Sequence, residues 1–147
     1  MIQDMPDLDS GVWTRAGDIP RDPAGVVARF YASRGDRTVI DAAMSQEVVW
    51  DITPGFPYGG VHRGLDAVLN DAILPTVAQF GSFAAVPERF VDAQDGQVVV
   101  LGHYAASTAD GRAAEARFVH IWTVEDDKIV RLDQVADTLV LDRLRKG

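Results

Sequence analysis

An alternation of apolar and polar residues runs through the second half of the chain and limits the fold more than any other sequence feature. From Phe83 onward apolar residues recur at every second position, which is typical of strands with one buried face. The segments DAQDGQ, TADGR and VEDDK interrupt this alternation with residues that favour tight turns. Since short turns join antiparallel neighbours, the sequence predicts a meander of strands at about 84–94, 97–108, 114–124 and 128–137.

The first half of the chain shows the periodicity of helices instead. The pattern predicts a helix from about 22 to 35, a second near 39–43, a strand over 47–52, a third helix over 65–80 and a closing helix over 138–144. Pro75 is expected to kink or shorten the third helix. Helices followed by a meander indicate an α+β fold, with three N-terminal helices gathered on one face of a curved sheet.

Length and charge narrow the class of protein. With 147 residues the chain fits one domain. We place that domain at 22–147, after a loose acidic arm at 1–21 that contains Trp13. The net charge of −8 argues against a nucleic-acid partner, because such binding depends on basic residues that neutralise phosphate.

Other classes are disfavoured by residues that the chain lacks. It has no Cys, and its three His are scattered, so neither a thiolate nucleophile nor a metal site is expected. No apolar run approaches ~18 residues, so we expect no membrane span. The first twenty residues lack the basic and apolar regions of a signal peptide, which leaves a cytoplasmic protein as the expectation.

The turns also predict which residues of neighbouring strands face each other. With three-residue turns that end in a bulge, His120 lies opposite Leu132 in the last hairpin. A two-residue turn would reverse this hairpin and bury Arg117, which charged residues resist. One side of the sheet then becomes apolar and aromatic around two polar groups, and it consists of Val98, Val100, Gly102, Tyr104, Phe118, His120, Trp122, Val130, Leu132 and Gln134. An apolar surface with a few convergent polar groups predicts a small-molecule cavity.

A ring-rich stretch, WDITPGFPYGGVHRG at 50–64, follows the first strand. Gly and Pro usually mark exposed loops, and such loops seldom hold many aromatic side chains. We therefore expect Trp50, Phe56 and Tyr58 to line one end of the cavity.

Four segments together resemble a known family: VVARFYASRGD, SQEVVWD, YGGVHRGLDAV and ARFVHIWTVEDDKIVRLDQVADT. They are similar to the SnoaL-like branch of the NTF2-like superfamily, which includes ketosteroid isomerases, polyketide cyclases and limonene epoxide hydrolases. The resemblance covers about 22–145. It implies a cone-shaped fold, in which a strongly bent, mostly antiparallel sheet wraps around an apolar pocket and helices close the wide end. It also implies a homodimer.

The resemblance assigns candidate roles position by position. The isomerases hold an enolate oxygen with a Tyr on the first helix and an acid on a late strand, positions that fall near Phe30 or Tyr31 and on His120. Their general base falls on Ile52 or, one residue away, on Asp51. Because side chains alternate along a strand, Asp51 is expected to point outward.

The other two branches match less well. The cyclases use an acid near 134–137, and Asp137 reaches the inner face only if a bulge turns it in. The epoxide hydrolases need an inward carboxylate–Arg–carboxylate unit, and no such set is expected on the inner face.

The leading hypothesis is a cofactor-independent acid/base isomerase or cyclase that acts on a small, apolar, carbonyl-bearing ligand. A non-catalytic ligand-binding or scaffold module is the alternative, so whether the chain is an enzyme stays open, and epoxide hydrolysis is third. The candidate catalytic residues are His120, Tyr104, Asp51 and Asp137. The candidate ligand-binding residues are Trp50, Ile52, Phe56, Tyr58, Phe30, Tyr31, Phe118, Trp122 and Gln134. The position of a carboxylate relative to the cavity discriminates the enzyme from the binding module.

Overall fold

Two short helices open the described part of the chain, which covers residues 22–147 of the computed structural model. Helix α1 spans Pro23–Ala32, and the Asp22 carboxylate caps it by accepting the Gly25 N–H. Helix α2 spans Arg37–Ala43. The predicted arm at 1–21 lies outside the described residues.

A composite helix follows the ring-rich stretch. It consists of α3 (Leu65–Ala67), a π-helical segment (Val68–Ile73) and α4 (Leu74–Ala78). A proline ring clashes with the carbonyl four residues before it in an α-helix, and the wider π turn ahead of Pro75 relieves that clash. The proline therefore widens this helix instead of ending it. None of the helices within 22–147 is long and apolar enough to span a membrane.

Within the described residues, six strands form one sheet in the order β2-β1-β6-β5-β4-β3. Strands β1 and β6 are parallel, and the other neighbours are antiparallel. The strands are β1 (Met44–Ile52), β2 (Gly60–Arg63), β3 (Ser82–Asp92), β4 (Gln97–Ser107), β5 (Ala113–Glu125) and β6 (Lys128–Ala136), and helix α5 (Thr138–Lys146) closes the chain. The predicted α+β fold with a curved sheet is confirmed. Strand β2 was not predicted, because its Gly-rich surroundings are typical of a loop.

The β4–β5 ladder has the predicted register. Tyr104 pairs with Ala116, and Val100 pairs with His120. The inner face of this ladder is buried: His120 is 3% exposed and Val100 is fully buried. This confirmed register places Tyr104 and His120 on the same side of the sheet.

The last hairpin corrects the predicted turn. Asp126 and Asp127 both have positive φ, so the turn has two residues and type I′ geometry instead of three residues. A bulge then follows, because Val124 pairs with Ile129 while Thr123 pairs with Arg131. Val130 is the extra residue of that bulge.

Compared with the predicted hairpin, the shorter turn alone would move the inward side chains of β6 to the outer face, and the bulge moves them back. From Leu132 onward the residues of β6 that face inward are therefore the predicted ones. Their pairing with β5 is displaced by two residues. His120 pairs with Gln134 and not with Leu132. Near the turn Ile129 is buried in place of the predicted Val130. The two-residue turn does not bury Arg117, because the bulge compensates for it.

Gly102 marks the closest approach within the sheet. A Cβ atom at this position would lie 2.3 Å from the Val86 carbonyl oxygen and 2.6 Å from Cζ of Phe118. We expect Gly102→Ala to lower the free energy of unfolding by about 2 kcal/mol, because overpacking forces backbone and ring to move. Urea denaturation measures this change, and an unaltered midpoint would contradict the close contact.

Candidate functional site

A cavity of about 500 Å³ lies between the inner face of the sheet and the helices. Its wall comes from α1, α2, β1, the ring-rich stretch, the π-helical segment, α4 and strands β3 to β6. Most of the wall is apolar. Its buried polar side chains include Tyr31, Thr76, Tyr104, His120 and Gln134.

The centre of the site is a chain of hydrogen bonds through one imidazole. The Tyr31 hydroxyl lies 2.5 Å from Nδ1 of His120, and the Tyr104 hydroxyl lies 2.7 Å from Nε2 of the same ring. Phe118 stacks on His120 with ring centroids 3.7 Å apart. Both nitrogens of a buried His are thus engaged by phenols, and the ring is held from one face.

Two further donors fix the outer ends of this chain. Trp122 donates its indole N–H to the Tyr31 oxygen at 3.0 Å, and Gln134 donates an amide N–H to the Tyr104 oxygen at 2.7 Å. The orientation of the Gln134 amide is set by the Thr53 backbone N–H, which donates to Oε1 at 3.2 Å. Because indole and amide nitrogens act only as donors here, both phenol oxygens must accept.

Counting protons shows that one hydroxyl has no acceptor in this chain. A neutral His120 carries one N–H, and the phenols of Tyr31 and Tyr104 carry one O–H each. Each of the two hydrogen bonds between the imidazole and a phenol uses one of these three protons. One phenol must therefore direct its O–H elsewhere.

The two oxygen–nitrogen distances indicate which phenol directs its O–H outside the chain of hydrogen bonds. O–H donors make shorter hydrogen bonds than N–H donors. The 2.5 Å distance fits a Tyr31 O–H that donates to Nδ1. The 2.7 Å distance then belongs to the hydrogen bond that the Nε2 N–H donates to the Tyr104 oxygen. In this arrangement Tyr104, which lines the cavity, carries the free O–H.

Burial keeps these groups uncharged. It lowers the pKa of His120 to about 3 and raises the pKa values of Tyr31 and Tyr104 above their ordinary value of 10.0. At neutral pH the site therefore consists of a neutral imidazole and two neutral phenols. It can offer hydrogen bonds to a ligand, whereas His120 is a weak base.

The predicted catalytic carboxylates lie away from the cavity. Asp51 points to the outer side of the sheet, where Arg131 lies 3.4 Å from it and 2.9 Å from Asp133. Asp137 caps helix α5 by accepting the Val140 N–H. No Asp or Glu of residues 22–147 lines the cavity. Neither candidate base therefore lies at the site, because Asp51 faces the outer side of β1 and Asp137 caps α5.

The same contacts bear on epoxide hydrolysis. Asp51, Arg131 and Asp133 do form a carboxylate–Arg–carboxylate unit, because parallel pairing puts Asp51 beside Asp133. The unit lies on the outer face of the sheet and is more than a third exposed at each residue. An epoxide in the cavity could not reach it.

Most of the predicted ligand-binding residues do line the cavity, namely Phe30, Tyr31, Trp50, Ile52, Phe56, Trp122 and Gln134. Two do not. Tyr58 is exposed at the surface, where its hydroxyl accepts a hydrogen bond from Gln79. Phe118 lies behind His120 as a stacking partner.

Sequence reasoning missed four polar residues of the site. Thr53 orients Gln134. Ser33 and Thr76 are buried wall residues, and Arg34 stands at the rim. Thr53 directly follows the inward-facing Ile52, and this adjacency was the available signal. Thr76 follows Pro75 in the widened helix, whose geometry the sequence pattern did not predict.

Comparisons with known proteins agree with this fold. A family model described as a SnoaL-like domain matches residues 13–132. The structure of TerC co-crystallized with polyporic acid is 25% identical, with a TM-score of 0.75 over 85% of this chain and 98% of that one. An NTF2-like protein from Burkholderia thailandensis is 26% identical, with a TM-score of 0.76 over 87% of this chain and all of that one.

More distant structures share the fold alone. IdmH from Streptomyces antibioticus, a proposed polyketide cyclase, is 18% identical, with a TM-score of 0.69 over 85% of this chain and 99% of that one. No curated protein matches the chain at a significant level.

Proposed function

The chain belongs to the SnoaL-like domain family, and we propose that its cavity binds a small, largely apolar molecule through a carbonyl oxygen. The free hydroxyl proton of the Tyr31–His120–Tyr104 chain supports this proposal most directly. A buried donor without an acceptor is costly, and a ligand oxygen supplies the acceptor. The apolar wall suits the rest of such a ligand.

One relative favours the same ligand class. TerC was crystallized with polyporic acid. Binding of an oxygenated, apolar molecule is the property that we propose for this chain, at a cavity of about 500 Å³. Cavities of this size are common for small-molecule ligands.

Isomerase or cyclase chemistry is the second candidate function. A neutral phenol that donates to a carbonyl oxygen also stabilises the enolate that forms when a base takes a proton from the neighbouring carbon. The described residues of the cavity wall include no carboxylate and His120 is a weak base, so the proton acceptor in this proposal is water and the substrates are those that lose a proton readily. Electrophilic assistance by Tyr104 is therefore the catalytic role that we propose for the site.

Removal of a single oxygen tests the donor. We expect Tyr104→Phe to weaken binding of polyporic acid or of 1-tetralone about tenfold, the loss of roughly one neutral hydrogen bond. Titration calorimetry on the folded variants measures this effect. Tyr31→Phe is the matched control, since it also loses a bond to His120 but should change affinity less than about threefold.

The outcomes separate the alternatives. If only Tyr31→Phe weakens binding, the free hydroxyl proton belongs to Tyr31 and not to Tyr104. Equal affinities in both variants and the wild type would contradict a phenol donor. Failure of every oxygenated probe to bind would contradict the proposed function.

A further inference from the structure

The turn that ends helix α1 brings a cation to the mouth of the cavity. Arg34 is exposed, and of the described residues that line the cavity it alone carries a charge at neutral pH. The carboxylates that follow it in the chain are engaged elsewhere, since Asp36 caps α2 and Asp41 pairs with Arg37. Within the part of the chain that the structure describes, Arg34 has no ion-pair partner. Its guanidinium is therefore available to an anion at the mouth.

The residue before Arg34 adds a buried hydroxyl to the same turn. Ser33 is 9% exposed and borders the cavity. Its backbone N–H and carbonyl are hydrogen-bonded, but its side-chain oxygen has no partner among residues 22–147. The one occluded side-chain atom without a partner in that range is the Trp50 indole nitrogen, so the Ser33 oxygen keeps accessible surface. Buried hydroxyls are usually satisfied, and a polar group of a ligand would satisfy this one.

The backbone keeps these two side chains together. Arg34 and Gly35 have φ values of 54° and 82°, which lie in the left-handed region. A residue other than Gly is uncommon there, whereas Gly adopts it without steric cost. The chain therefore turns sharply directly after Ser33, the C-cap residue of α1. The turn places a buried hydroxyl and an exposed guanidinium next to each other at the cavity mouth.

The position of this turn relative to the hydrogen-bond chain sets the length of a ligand that contacts both. Tyr31, three residues before Arg34, reaches from α1 to Nδ1 of His120. Tyr104 lies at Nε2, the other nitrogen of the same ring. Since residues three apart at the end of a helix are neighbours, Arg34 lies on the Tyr31 side of the imidazole and Tyr104 on the other side. A ligand that reaches both needs polar groups at its two ends.

We propose that the ligand carries a carboxylate at the cavity mouth, where Arg34 binds it and the Ser33 hydroxyl donates a further hydrogen bond. The ligand class is that of flat, apolar keto acids, with the carbonyl at Tyr104 and the acid at the opposite end. Arg34 is then a specificity-determining residue that selects acids over neutral ketones. This inference rests on the proposed function, since it needs a ligand in the same cavity.

The charge and shape of the donors favour a carboxylate over a phosphate group. The planar guanidinium matches the two oxygens of a carboxylate, with which it forms two parallel hydrogen bonds. The single positive charge of Arg34 balances the single negative charge of a carboxylate. A phosphate monoester carries about −1.5 to −2 at pH 7 and would keep an unbalanced charge beside an apolar wall.

Three probes on one bicyclic frame test this contact. They are 6-carboxy-1-tetralone, its methyl ester and 1-tetralone, and the acid group of the first lies across the frame from the carbonyl. We expect the wild type to bind the acid about tenfold more tightly than the ester, the gain of roughly one charge-assisted hydrogen bond. The net charge of −8 repels anions at long range, so this preference requires a local cation. Titration calorimetry at neutral pH measures the affinities.

Two arginine variants assign the preference to one residue. We expect Arg34→Gln to bind the acid and the ester within about twofold of each other and to keep the wild-type affinity for 1-tetralone. Arg37→Gln is the matched control, because it removes the same charge from an exposed position that does not line the cavity. It should keep the preference for the acid. Both positions are exposed, so thermal melting should show both variants folded.

A serine variant tests the hydroxyl. We expect Ser33→Ala to weaken binding of the acid about threefold and to leave binding of 1-tetralone unchanged. The hydroxyl has no partner in the free protein, so its removal should leave the melting temperature constant or raise it. A fall in the melting temperature with unchanged affinity for the acid would make the hydroxyl structural and overturn its part in the proposal.

The binding outcomes distinguish this inference from the proposed function. If 1-tetralone binds but the wild type does not distinguish the acid from the ester, or if Arg37→Gln lowers the preference as much as Arg34→Gln, the charged contact is wrong and the cavity still binds carbonyl ligands. If binding of the acid responds to Arg34→Gln but not to Tyr104→Phe, the charged contact stands and the carbonyl contact fails. If none of the three probes nor polyporic acid binds the wild type, both proposals fail.

Discussion

Replacing His120 with alanine lowers the free energy of unfolding by about 3 kcal/mol, the expected cost of leaving buried hydroxyls unpaired and opening a cavity behind them. The imidazole bonds to both Tyr31 and Tyr104 and stacks on Phe118. Its removal therefore ends two hydrogen bonds and the stacking contact with Phe118 at once. Urea denaturation at pH 7.5, where His120 is uncharged, measures the difference.

A second histidine provides the control for this substitution. His103 lies on the outer face of the sheet beside Glu88. We expect His103→Ala to change the free energy of unfolding by about 0.5 kcal/mol or less, which is usual for surface positions. A similarly small change for His120→Ala would mean that the hydrogen-bond chain contributes little to stability.

This expectation alters how a functional test of His120 is interpreted. A variant that loses the hydrogen bonds and ring contacts of His120 can lose ligand binding because the cavity wall rearranges. Loss of activity in His120→Ala therefore does not identify a catalytic group. Tyr104→Phe, which removes one oxygen atom and keeps the ring, addresses the chemistry more directly.

The inner face of the sheet could be predicted because alternation is a local property of each strand. Tyr104, His120 and Gln134 were placed together on that face from the sequence, and the structure agrees. The pairing of His120 with Gln134 could not be predicted, since it depends on the type I′ turn at Asp126 and on the bulge at Val130. Asp is less strongly associated than Gly with positive φ, so the turn length was ambiguous.

The rest of the site depends on contacts between distant parts of the chain. The outward pairing of Asp51 with Arg131 follows from the parallel β1–β6 ladder, and no local pattern indicates a parallel partner. The orientation of Gln134 requires the backbone of Thr53, which lies 81 residues away in sequence. The indole N–H of Trp50 has no hydrogen-bond partner, whereas the indole N–H of Trp122 donates to Tyr31. Since the residue type is the same, the difference depends on how each ring packs.

The buried imidazole also makes stability depend on pH. In the folded protein burial lowers the pKa of His120 to about 3, against an ordinary value of 6.5. Below pH 6.5 the unfolded chain binds a proton that the folded chain excludes, so acid favours unfolding. The stability that comes from keeping the buried imidazole neutral is fully present above pH 6.5 and is lost as the pH falls towards 3. Each pH unit within this window costs about 1.4 kcal/mol.

We expect acidification from pH 7 to pH 4.5 to destabilise the wild type by about 2 to 3 kcal/mol more than His120→Gln. Gln does not titrate, and its amide can both accept from one phenol and donate to the other. The comparison cancels the shared contribution of the carboxylates. Equal slopes for wild type and His120→Gln would mean that the folded protein binds this proton as readily as the unfolded chain, and would contradict the exclusion of charge from the buried imidazole.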